Sequence, residues 1–436
     1  MTPLSWFSEA RYGMFLHFGP YSALGRGEQI LFRDHLDHGD YAARAMAWNP
    51  SAFDAAALAR LAADAGMRYA VFTTRHHDGY CLWDSALTDY TSAAQAPRRD
   101  FVREYVEAFR AAGLRVGLYY SLADWRIPAY WEGPGGEAAA WDRFRDYAHG
   151  QVHELLTRYG KIDVIWFDGV WPRTAEEWRS RELIAMIREL QPEILINNRL
   201  DIGGGGIEAV GASKTLGDFG TPEHEIVAET GRPWESCQVT TWRLWGYARG
   251  ERYRSSEQLL DMLCQCAAKG GNLLLNVAPD GEGRVPDPVE AALREVGAWL
   301  QPHGEAIYGT EAGEVAEFTP YGYQSRRGDT LYLIYRFWPH AAEARVPGLR
   351  ALACEAALLS SAQPVKAEPR EFGIALSGLP VAPPCALFPV IRLRMPRGFD
   401  LLPWARSRLW HGDPLRMLAW SATRGTTVWT DGKERP

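Results

Sequence analysis

The sequence predicts an α/β fold: a (β/α)8-like TIM barrel followed by a small antiparallel β-sandwich domain. Three observations support this prediction. Short apolar runs alternate with amphipathic segments up to about residue 300, polar side chains follow nearly every apolar run, and helical periodicity disappears after Pro302. Apolar runs of this length are typical of buried parallel strands, and repeated strand–helix units are typical of parallel sheets.

The first part of the chain contains six apolar runs that we interpret as strands. They are Gly13–Phe18, Tyr69–Thr74, Val116–Ser121, Val164–Phe167, Ile194–Asn197 and Asn272–Val277. The amphipathic segments between and after them are predicted as helices: Phe53–Gly66, Phe101–Gly113, Trp141–Gly160, Ala175–Leu190, Ser256–Lys269 and Val289–Leu300. Gly66 and Gly113 stand where their helices should stop, because glycine readily adopts the left-handed conformation that ends a helix.

Either a closed barrel or an open doubly wound sheet would accommodate this alternation. An open sheet concentrates function at one switch point, usually with a glycine-rich turn after the first strand. Here that turn is Phe18-Gly19-Pro20-Tyr21, which lacks the pattern. Polar residues instead follow strand after strand, as the top face of a barrel requires. They are His17, His76-His77-Asp78, Tyr119-Tyr120, Asp168 and Asn197-Asn198-Arg199.

The predicted barrel covers residues 1–302, the β-sandwich 303–396, and a C-terminal extension of unknown structure 397–436. Short alternating runs broken by Gly and Pro predict the sandwich strands. They include Thr330–Tyr335, Val346, Ala353–Leu359 and Val390–Leu393. A four-glycine run, Gly203–Gly206, is predicted to be a mobile loop because no phosphate-binding Lys-Ser/Thr follows it.

Composition excludes several classes of function. The formal net charge of the 436 residues is −7, which argues against a nucleic-acid binder. No apolar run reaches the roughly 18 residues of a membrane span, and the first residues lack a signal-peptide pattern. We therefore expect a cytoplasmic protein whose six scattered cysteines are free thiols. Aromatic residues make up 12%, with 18 Trp, which suits either a large core or stacking on sugar rings.

Asp168 is the first candidate for chemistry. It directly follows the apolar run Val164–Phe167 and precedes Gly169. A carboxylate at this point is predicted to face the barrel mouth, where a rigid ionised group suits nucleophilic attack on an anomeric carbon. A structural ion pair or a helix cap is the alternative.

Glycoside hydrolysis also needs a second carboxyl group, which acts as acid and base. The candidates are Glu223, Glu225 and Glu235. We favour Glu223 because its segment reads as a loop, and loops on a rigid scaffold carry function. Glu28 is predicted as a partner carboxylate in the same network.

Further polar and aromatic side chains are candidates for sugar binding. His76 and His77 follow a strand, where adjacent side chains point to opposite sides. A metal site would instead require His-x-His on one face, so we expect hydrogen bonds to sugar hydroxyls and no metal or cofactor. The same interpretation extends to His17, Tyr119, Tyr120, Arg199 and Trp245, although each of these alone is also a common core residue.

Taken together, these motifs resemble those of family 29 glycoside hydrolases, the α-L-fucosidases. The matching stretches lie in family order over residues 5–290, about two thirds of the chain. They are Trp6-Phe7, Gly13-Met14-Phe15-Leu16-His17-Phe18-Gly19-Pro20-Tyr21-Ser22, Arg75-His76-His77-Asp78-Gly79-Tyr80, Gly117-Leu118-Tyr119-Tyr120-Ser121, Ile165-Trp166-Phe167-Asp168-Gly169, Asn197-Asn198-Arg199, Trp234-Glu235-Ser236-Cys237, Trp245-Gly246-Tyr247 and Gly271-Asn272-Leu273-Leu274-Leu275-Asn276-Val277 with Pro279 and Gly281.

The resemblance implies a catalytic barrel followed by a β-sandwich, and a retaining exo-glycosidase that releases α-linked L-fucose without a metal. It implies that Asp168 is the nucleophile. It also implies sugar-binding roles for His17, His76, His77, Tyr119 or Tyr120, Arg199 and Trp245. The family's acid/base position varies: one pattern matches Glu223, and another matches Glu235. We favour Glu223.

The implied partner is a fucosylated glycan or a small glycoside, with no nucleic acid and no membrane, and homo-oligomerisation is left open. In one departure from the family pattern, Gln29 follows Glu28 where relatives often have Trp. The loss of that ring removes a stacking or hydrogen-bonding contact that bears on sugar specificity. The alternatives are a barrel glycosidase for a related sugar and a catalytically inactive carbohydrate-binding protein on the same scaffold.

Overall fold

The computed structural model describes residues 3–201, 216–227, 231–313, 321–339, 343–351, 353–371 and 373–401. The predicted loop Gly203–Gly206 and positions 402–436 of the predicted extension lie outside these residues. By compactness the chain forms two units, Met1–Cys266 with Gly271–Leu300, and Ala267–Gly270 with Gln301–Pro436. The domain boundary at residue 302 stays a prediction from the sequence.

Seven parallel strands form the sheet of the first unit, in the order β5-β4-β3-β2-β1-β7-β6. They are β1 Tyr12–Leu16, β2 Tyr69–Arg75, β3 Arg115–Ser121, β4 Val164–Asp168, β5 Leu195–Ile196, β6 Glu235–Val239 and β7 Asn272–Val277. The six predicted strands are all present. The sequence does not predict β6, because its residues, Glu-Ser-Cys-Gln-Val, are mostly polar although the structure buries every one of them.

An irregular segment between β5 and β6 closes this sheet into a ring. Parallel bridges join Asn197 to Phe219, Gly220 to Trp234, and Glu223 to Cys237. The Cys237 amide donates to the Pro222 carbonyl at 3.0 Å. Residues 219–223 thus occupy the eighth position of a closed barrel, which confirms the predicted fold and places Glu223 on the ring itself.

Eleven α-helices lie within the described residues, and those of the first unit lie before, between and after its strands. They are α1 Pro3–Ala10, α2 Tyr21–Leu24, α3 Ile30–Arg33, α4 His38–Ala47, α5 Ala55–Asp64, α6 Phe101–Ala111, α7 Pro128–Glu132, α8 Ala138–Arg158, α9 Ser180–Leu190, α10 Ser256–Ala268 and α11 Asp287–His303. Short 3-10 turns occupy Gly133–Gly135 and Gly304–Ala306. None of the helices in the described part of the chain is long and apolar enough to cross a membrane.

Helix α6 shows how the sequence specifies these elements. The Asp100 side chain accepts a hydrogen bond from the Arg103 amide at 2.8 Å, which caps the N-terminus. The helix buries an apolar face made of Phe101, Val102, Tyr105, Val106 and Phe109. Gly113 follows its C-terminus with φ of 77°, as the predicted stop requires.

Aromatic side chains fill the barrel interior. Phe7 of α1 packs on Phe219 with ring centroids 4.6 Å apart, and Phe15 packs on Trp166 at 5.2 Å. Tyr69 belongs to the same buried cluster. This cluster therefore fills the barrel below the carboxyl ends of the strands.

The second unit is antiparallel, as predicted. Eight strands pair in the order β11-β15-β14-β13-β16-β10-β9-β8, and β12 pairs with β17. They are β8 Glu311–Ala312, β9 Gly322–Arg327, β10 Thr330–Tyr335, β11 Glu343–Pro347, β12 Leu349–Ala351, β13 Glu355–Leu358, β14 Pro364–Arg370, β15 Gly373–Ser377, β16 Val390–Arg394 and β17 Phe399–Leu401. One apolar cluster, with Leu333, Leu349 and Leu376 among its members, serves both sheets. Strand β17 falls in the predicted extension.

Candidate active site

A cavity of about 970 Å³ opens at the carboxyl ends of the barrel strands. Its lining comes from nearly every strand end around the ring, which is the arrangement that the polar residues of the sequence predict. The lining residues are Phe15, His17, Glu28, Gln29, Phe32, Arg33, His76, His77, Tyr119, Trp125, Tyr130, Trp131, Trp166, Asp168, Trp171, Pro172, Arg199, Glu223, His224, Glu225, Arg243, Leu244 and Trp245.

Asp168 is the last residue of β4, and its carboxylate faces this cavity. Its Oδ2 accepts a hydrogen bond from the Tyr119 hydroxyl at 3.0 Å and lies 3.8 Å from His77 Nε2. Its Oδ1 lies 3.4 Å from Arg199 Nη1. Burial raises the pKa of Asp168 above its ordinary value, and the positive charge of Arg199 offsets part of that rise.

Arg199 connects Asp168 to Glu223. Its side chain is 3% exposed, and its Nη2 lies 2.8 Å from Glu223 Oε2. Thr221 fixes the guanidinium by accepting from Nε at 2.9 Å and, through its carbonyl, from Nη2 at 3.2 Å. The guanidinium also lies over the Trp166 ring, 4.6 Å from its centroid. Two carboxylates therefore converge on one immobilised cation.

Glu223 is the more accessible of the two carboxylates, with 36% of its side chain exposed. The Trp245 Nε1 donates to its Oε1 at 3.1 Å. Burial is the largest single influence and acts to raise the pKa of Glu223. The charge and hydrogen bond of Arg199, together with His224 and the Trp245 hydrogen bond, outweigh it, so the pKa lies below its ordinary value.

The structure does not bring Glu235 to the cavity. This side chain is fully buried at the start of β6. Its carboxyl accepts from the Tyr69 hydroxyl at 2.6 Å and from Trp166 Nε1 at 2.8 Å. Burial raises the pKa of Glu235 to about 7. Trp166 lines the cavity, so Glu235 is hydrogen-bonded to a lining residue without lining the cavity itself.

Four histidines line the cavity, and burial keeps three of them, His17, His76 and His77, uncharged at neutral pH. It lowers the pKa of both His17 and His77 to about 3, and that of His76 well below its ordinary value. His17 Nδ1 lies 2.7 Å from the Asn276 amide oxygen, and Asn276 Nδ2 donates to the Trp245 carbonyl at 2.7 Å. Because that oxygen only accepts, His17 carries its proton on Nδ1, which leaves Nε2 as an acceptor.

His77 and His76 differ in their hydrogen-bond partners. His77 Nδ1 lies 2.7 Å from the Ser121 hydroxyl. Among the residues that the structure describes, His76 Nδ1 is buried without a hydrogen-bond partner. Uncharged rings of this kind can both donate to and accept from neutral hydroxyl groups.

Tyr119 and Tyr120 point to opposite faces of β3, as side chains on a strand must. Tyr119 lies inside the barrel against Asp168. Tyr120 lies outside, where its hydroxyl donates to Gln151 of α8 at 2.9 Å and accepts from Arg75 at 2.8 Å. Tyr120 is therefore not brought to the cavity, and only Tyr119 of the predicted pair lines it.

Glu28 joins two loops at the edge of the cavity. Its Oε2 accepts from the amides of Trp245 and Gly246 at 3.0 and 2.8 Å, and burial raises its pKa. Residue 246 must be glycine, because a Cβ there would lie 2.6 Å from the Glu28 backbone nitrogen. The adjacent Gln29 lines the cavity and accepts from Arg33 Nε at 3.1 Å.

Sequence reasoning missed several aromatic residues of the lining, including Phe32, Trp125, Trp131 and Trp171. They lie in long connections after the strands, where no periodic pattern indicates which way a ring faces. It also missed Asn276, which orients His17 and Trp245. Asn276 was detectable as one of two amides, with Asn272, in the otherwise apolar strand β7. No group of three His, Cys, Asp or Glu with metal-site geometry occurs among the described residues.

A family model for alpha-L-fucosidases matches residues 2–305 of this chain. The chain belongs to the alpha-L-fucosidase family. Its curated relatives include an alpha-L-fucosidase of Branchiostoma floridae, 28% identical over 370 residues that cover 78% of this chain and 80% of that protein.

Solved structures of fucosidases share the fold. Alpha-L-fucosidase isoenzyme 1 from Paenibacillus thiaminolyticus is 37% identical with a TM-score of 0.79, covering 90% of this chain and 98% of that one. A GH29 alpha-L-fucosidase from Bacteroides thetaiotaomicron is 26% identical with a TM-score of 0.81, covering 91% and 96%. That structure is a trapped covalent intermediate in complex with 2-fluoro-fucosyl fluoride. The cavity of the present family member lies in the matched region.

Proposed function

We propose that this protein is a retaining exo-glycosidase that releases α-linked L-fucose from glycans or glycosides by double displacement. Family membership supports the reaction. One observation carries the assignment of residues: Arg199 contacts Asp168 at 3.4 Å and Glu223 at 2.8 Å, so two carboxylates face one sugar-sized space. A closely spaced carboxylate pair is what a retaining glycosidase requires.

In the first step an Asp168 oxygen attacks the anomeric carbon, the bond to the leaving oxygen breaks, and Glu223 donates its proton to that oxygen. In the second step Glu223 takes a proton from water, whose oxygen attacks the same carbon and displaces Asp168. Two inversions at one carbon give net retention. Tyr119 donates to Asp168 and Arg199 lies beside it, and both contacts stabilise the carboxylate before attack.

The two pKa shifts run opposite to what the first step needs, since the pKa of Asp168 is raised and that of Glu223 is lowered. A bound sugar raises the pKa of Glu223, because it displaces water from a side chain that is 36% exposed, and desolvation raises a carboxyl pKa. Once Asp168 becomes an ester its negative charge is gone. Arg199 then favours ionised Glu223, which suits the base of the second step.

The remaining cavity residues are assigned to sugar binding. Uncharged His17, His76 and His77 exchange hydrogen bonds with ring hydroxyls, and Glu28 and Arg199 complete the polar set. Trp245 supplies an apolar face, since its ring packs 5.2 Å from His17 beside Glu223. Glu28 also keeps Trp245 in place through the backbone.

No cofactor enters this reaction, and the proposed partners are fucosylated glycans and small glycosides. A reducing, cytoplasmic location is proposed from the sequence, and the six free cysteines of the structure agree with it. Cell fractionation with an antibody against the chain tests the location.

The function is tested with an aryl α-L-fucoside and proton NMR of the first product formed. We expect α-L-fucose to appear before mutarotation. A β-D-galactoside of related stereochemistry serves as the competing substrate. Release of the β anomer would overturn the retaining mechanism. Faster turnover of the galactoside would overturn the assignment of fucose as the released sugar. Sugar binding without turnover would indicate an inactive binding protein.

A further inference from the structure

The rim of the cavity carries two large aromatic side chains that remain largely uncovered. Phe32 of α3 is 50% exposed and Trp131 of α7 is 44% exposed, and both line the cavity. Their ring centroids lie 5.9 Å apart with planes 15° from parallel. Together these two residues form what is called here the aromatic rim. Adjacent exposed aromatic rings at a cavity mouth mark a binding surface more often than isolated ones do.

The aromatic rim contacts residues that also contact the proposed sugar site. Trp131 Nε1 donates to the Trp125 carbonyl at 3.0 Å. The buried Trp125 ring lies 5.3 Å from Phe32 and 5.0 Å from His77. His77 Nε2 in turn lies 3.8 Å from Asp168 Oδ2. An unbroken series of contacts therefore leads from the proposed nucleophile to the rim.

Polar side chains stand next to these rings. Arg33 follows Phe32 on α3, and its Nε donates to Gln29 Oε1 at 3.1 Å. Both residues line the cavity, and the remaining nitrogens of Arg33 and Gln29 are donors. A pyranose presents an apolar face bordered by hydroxyl groups, so a flat ring beside hydrogen-bond donors matches it.

The volume of the cavity is large enough for more than one sugar ring. Its volume of about 970 Å³ is at the upper end of the roughly 300–1,000 Å³ that pockets for drug-sized ligands occupy. In an exo-acting glycosidase the released sugar occupies the inner end beside the nucleophile. The open end, where the aromatic rim lies, must then hold the leaving group.

We propose that Phe32 and Trp131, assisted by Gln29 and Arg33, form a subsite for the sugar ring to which the released fucose is linked. The preferred substrates are therefore fucosylated oligosaccharides rather than fucosides of small non-sugar alcohols. This proposal rests on the proposed function, since the subsite binds the leaving group of that reaction.

The test compares two substrates that differ only in the leaving group: a fucosyl-galactose disaccharide and α-L-fucosyl fluoride, which has no ring to stack. The measured quantity is the ratio of kcat/KM for the disaccharide to kcat/KM for the fluoride. We expect Trp131→Ala and Phe32→Ala each to lower this ratio on the order of ten-fold. Trp131→Phe, which keeps an aromatic face, should restore most of it.

Phe337→Ala is the matched control, because Phe337 is 61% exposed and belongs to the second unit. It should leave the ratio at the wild-type value. An unchanged ratio in Trp131→Ala and Phe32→Ala would overturn the subsite, as would an equal loss on both substrates. Failure of the proposed function is distinguishable, because the wild-type protein would then turn over neither substrate.

Discussion

Two levels of the barrel each hold a glutamate, in opposite surroundings. The cavity layer contains Asp168, Arg199 and Glu223, where Glu223 pairs with Arg199 at 2.8 Å and has a lowered pKa. The buried layer below contains Glu235, whose carboxyl is enclosed among aromatic rings and has a pKa raised to about 7.

The difference shows that access to the cavity, rather than a perturbed pKa, identifies the proposed acid/base. Glu235 has the pKa that a general acid near neutral pH would need. However, both of its oxygens are occupied, by Tyr69 and Trp166, and it lines no part of the cavity. Glu223 has the less suitable pKa but lies where a proton can reach a substrate.

The largest effect is expected from Asp168→Ala in the cavity layer. Removal of the nucleophile should lower kcat for an aryl α-L-fucoside by at least about 10⁴-fold. Steady-state kinetics measures the loss, and circular dichroism confirms that the variant is folded. Asp163, which precedes β4 at its opposite end and accepts from the Val116 amide, provides the control. Asp163→Asn should lower stability but leave kcat within about two-fold. An Asp168→Ala variant that keeps more than a few per cent of wild-type kcat would refute the assignment.

The next effect separates the two layers directly. Glu223→Ala should lower kcat/KM for a fucosyl disaccharide by roughly 10²–10⁴-fold and that for an aryl fucoside with a good leaving group much less. Azide should restore turnover because it attacks the fucosyl ester of Asp168 in the second step without needing a base, and this second inversion gives α-fucosyl azide as the product. Glu235→Gln should show neither the substrate dependence nor the azide rescue. If Glu235→Gln shows both and Glu223→Ala shows neither, the two glutamates exchange roles.

The buried layer should reveal itself in the pH dependence of stability. The pKa of Glu235 is about 7 in the folded protein and 4.5 in its ordinary state. Between these values the unfolded chain ionises while the folded chain keeps the proton. The free energy of unfolding therefore falls as the pH rises through this window, by roughly 3 kcal/mol from this group.

Glu235→Gln removes that contribution, because glutamine does not titrate and can still bond Tyr69 and Trp166. Urea unfolding at pH 4.5 and pH 8 should show a smaller loss of stability in Glu235→Gln than in the wild type. Glu107→Gln, on the exposed face of α6, is the control and should follow the wild type. Identical pH dependence in the wild type and Glu235→Gln would show that Glu235 is ionised in the folded state.

The sequence predicts the residues of the cavity layer that follow apolar strands. It does not predict a strand whose residues are mostly polar. Asp168, His17 and His77 follow recognisable apolar runs, so their convergence follows from barrel geometry alone. Strand β6 begins with Glu235 and contains a buried serine and glutamine, so no apolar run marks it. Burial of these polar groups depends on partners such as Tyr69, 166 residues away in sequence, which no local pattern reveals.

For the same reason, local sequence patterns do not distinguish Glu223 from Glu235. Both follow family-like patterns, and the sequence places both near the end of the barrel. Only the bridge of Glu223 to Cys237 and the bonds of Glu235 to Tyr69 and Trp166 show which one reaches the cavity. The aromatic rim was undetectable for a related reason, since α3 and α7 are short helices of four and five residues in long connections.

The smallest effect concerns Tyr119 and Tyr120, which the sequence leaves as alternatives and the structure separates by strand face. Tyr119→Phe removes the hydroxyl that donates to Asp168 at 3.0 Å, a contact that lowers the pKa of that carboxyl. The pKa of Asp168 should rise further, so the acidic limb of the kcat/KM profile should move to higher pH. We expect kcat/KM at neutral pH to fall roughly ten-fold.

Tyr120→Phe instead removes an acceptor of the buried Arg75, which keeps its bond to Gln151 at 2.6 Å. It should lower the free energy of unfolding by about 1–3 kcal/mol. The value of kcat/KM should stay within about two-fold of the wild type, and the acidic limb of its pH profile should not move. Adjacent tyrosines thus give one variant altered in activity and one altered in stability. A shifted acidic limb in Tyr120→Phe, or an unshifted one in Tyr119→Phe, would contradict the assignment of Asp168 to the cavity side, because only a hydroxyl on the same face of β3 can reach that carboxylate.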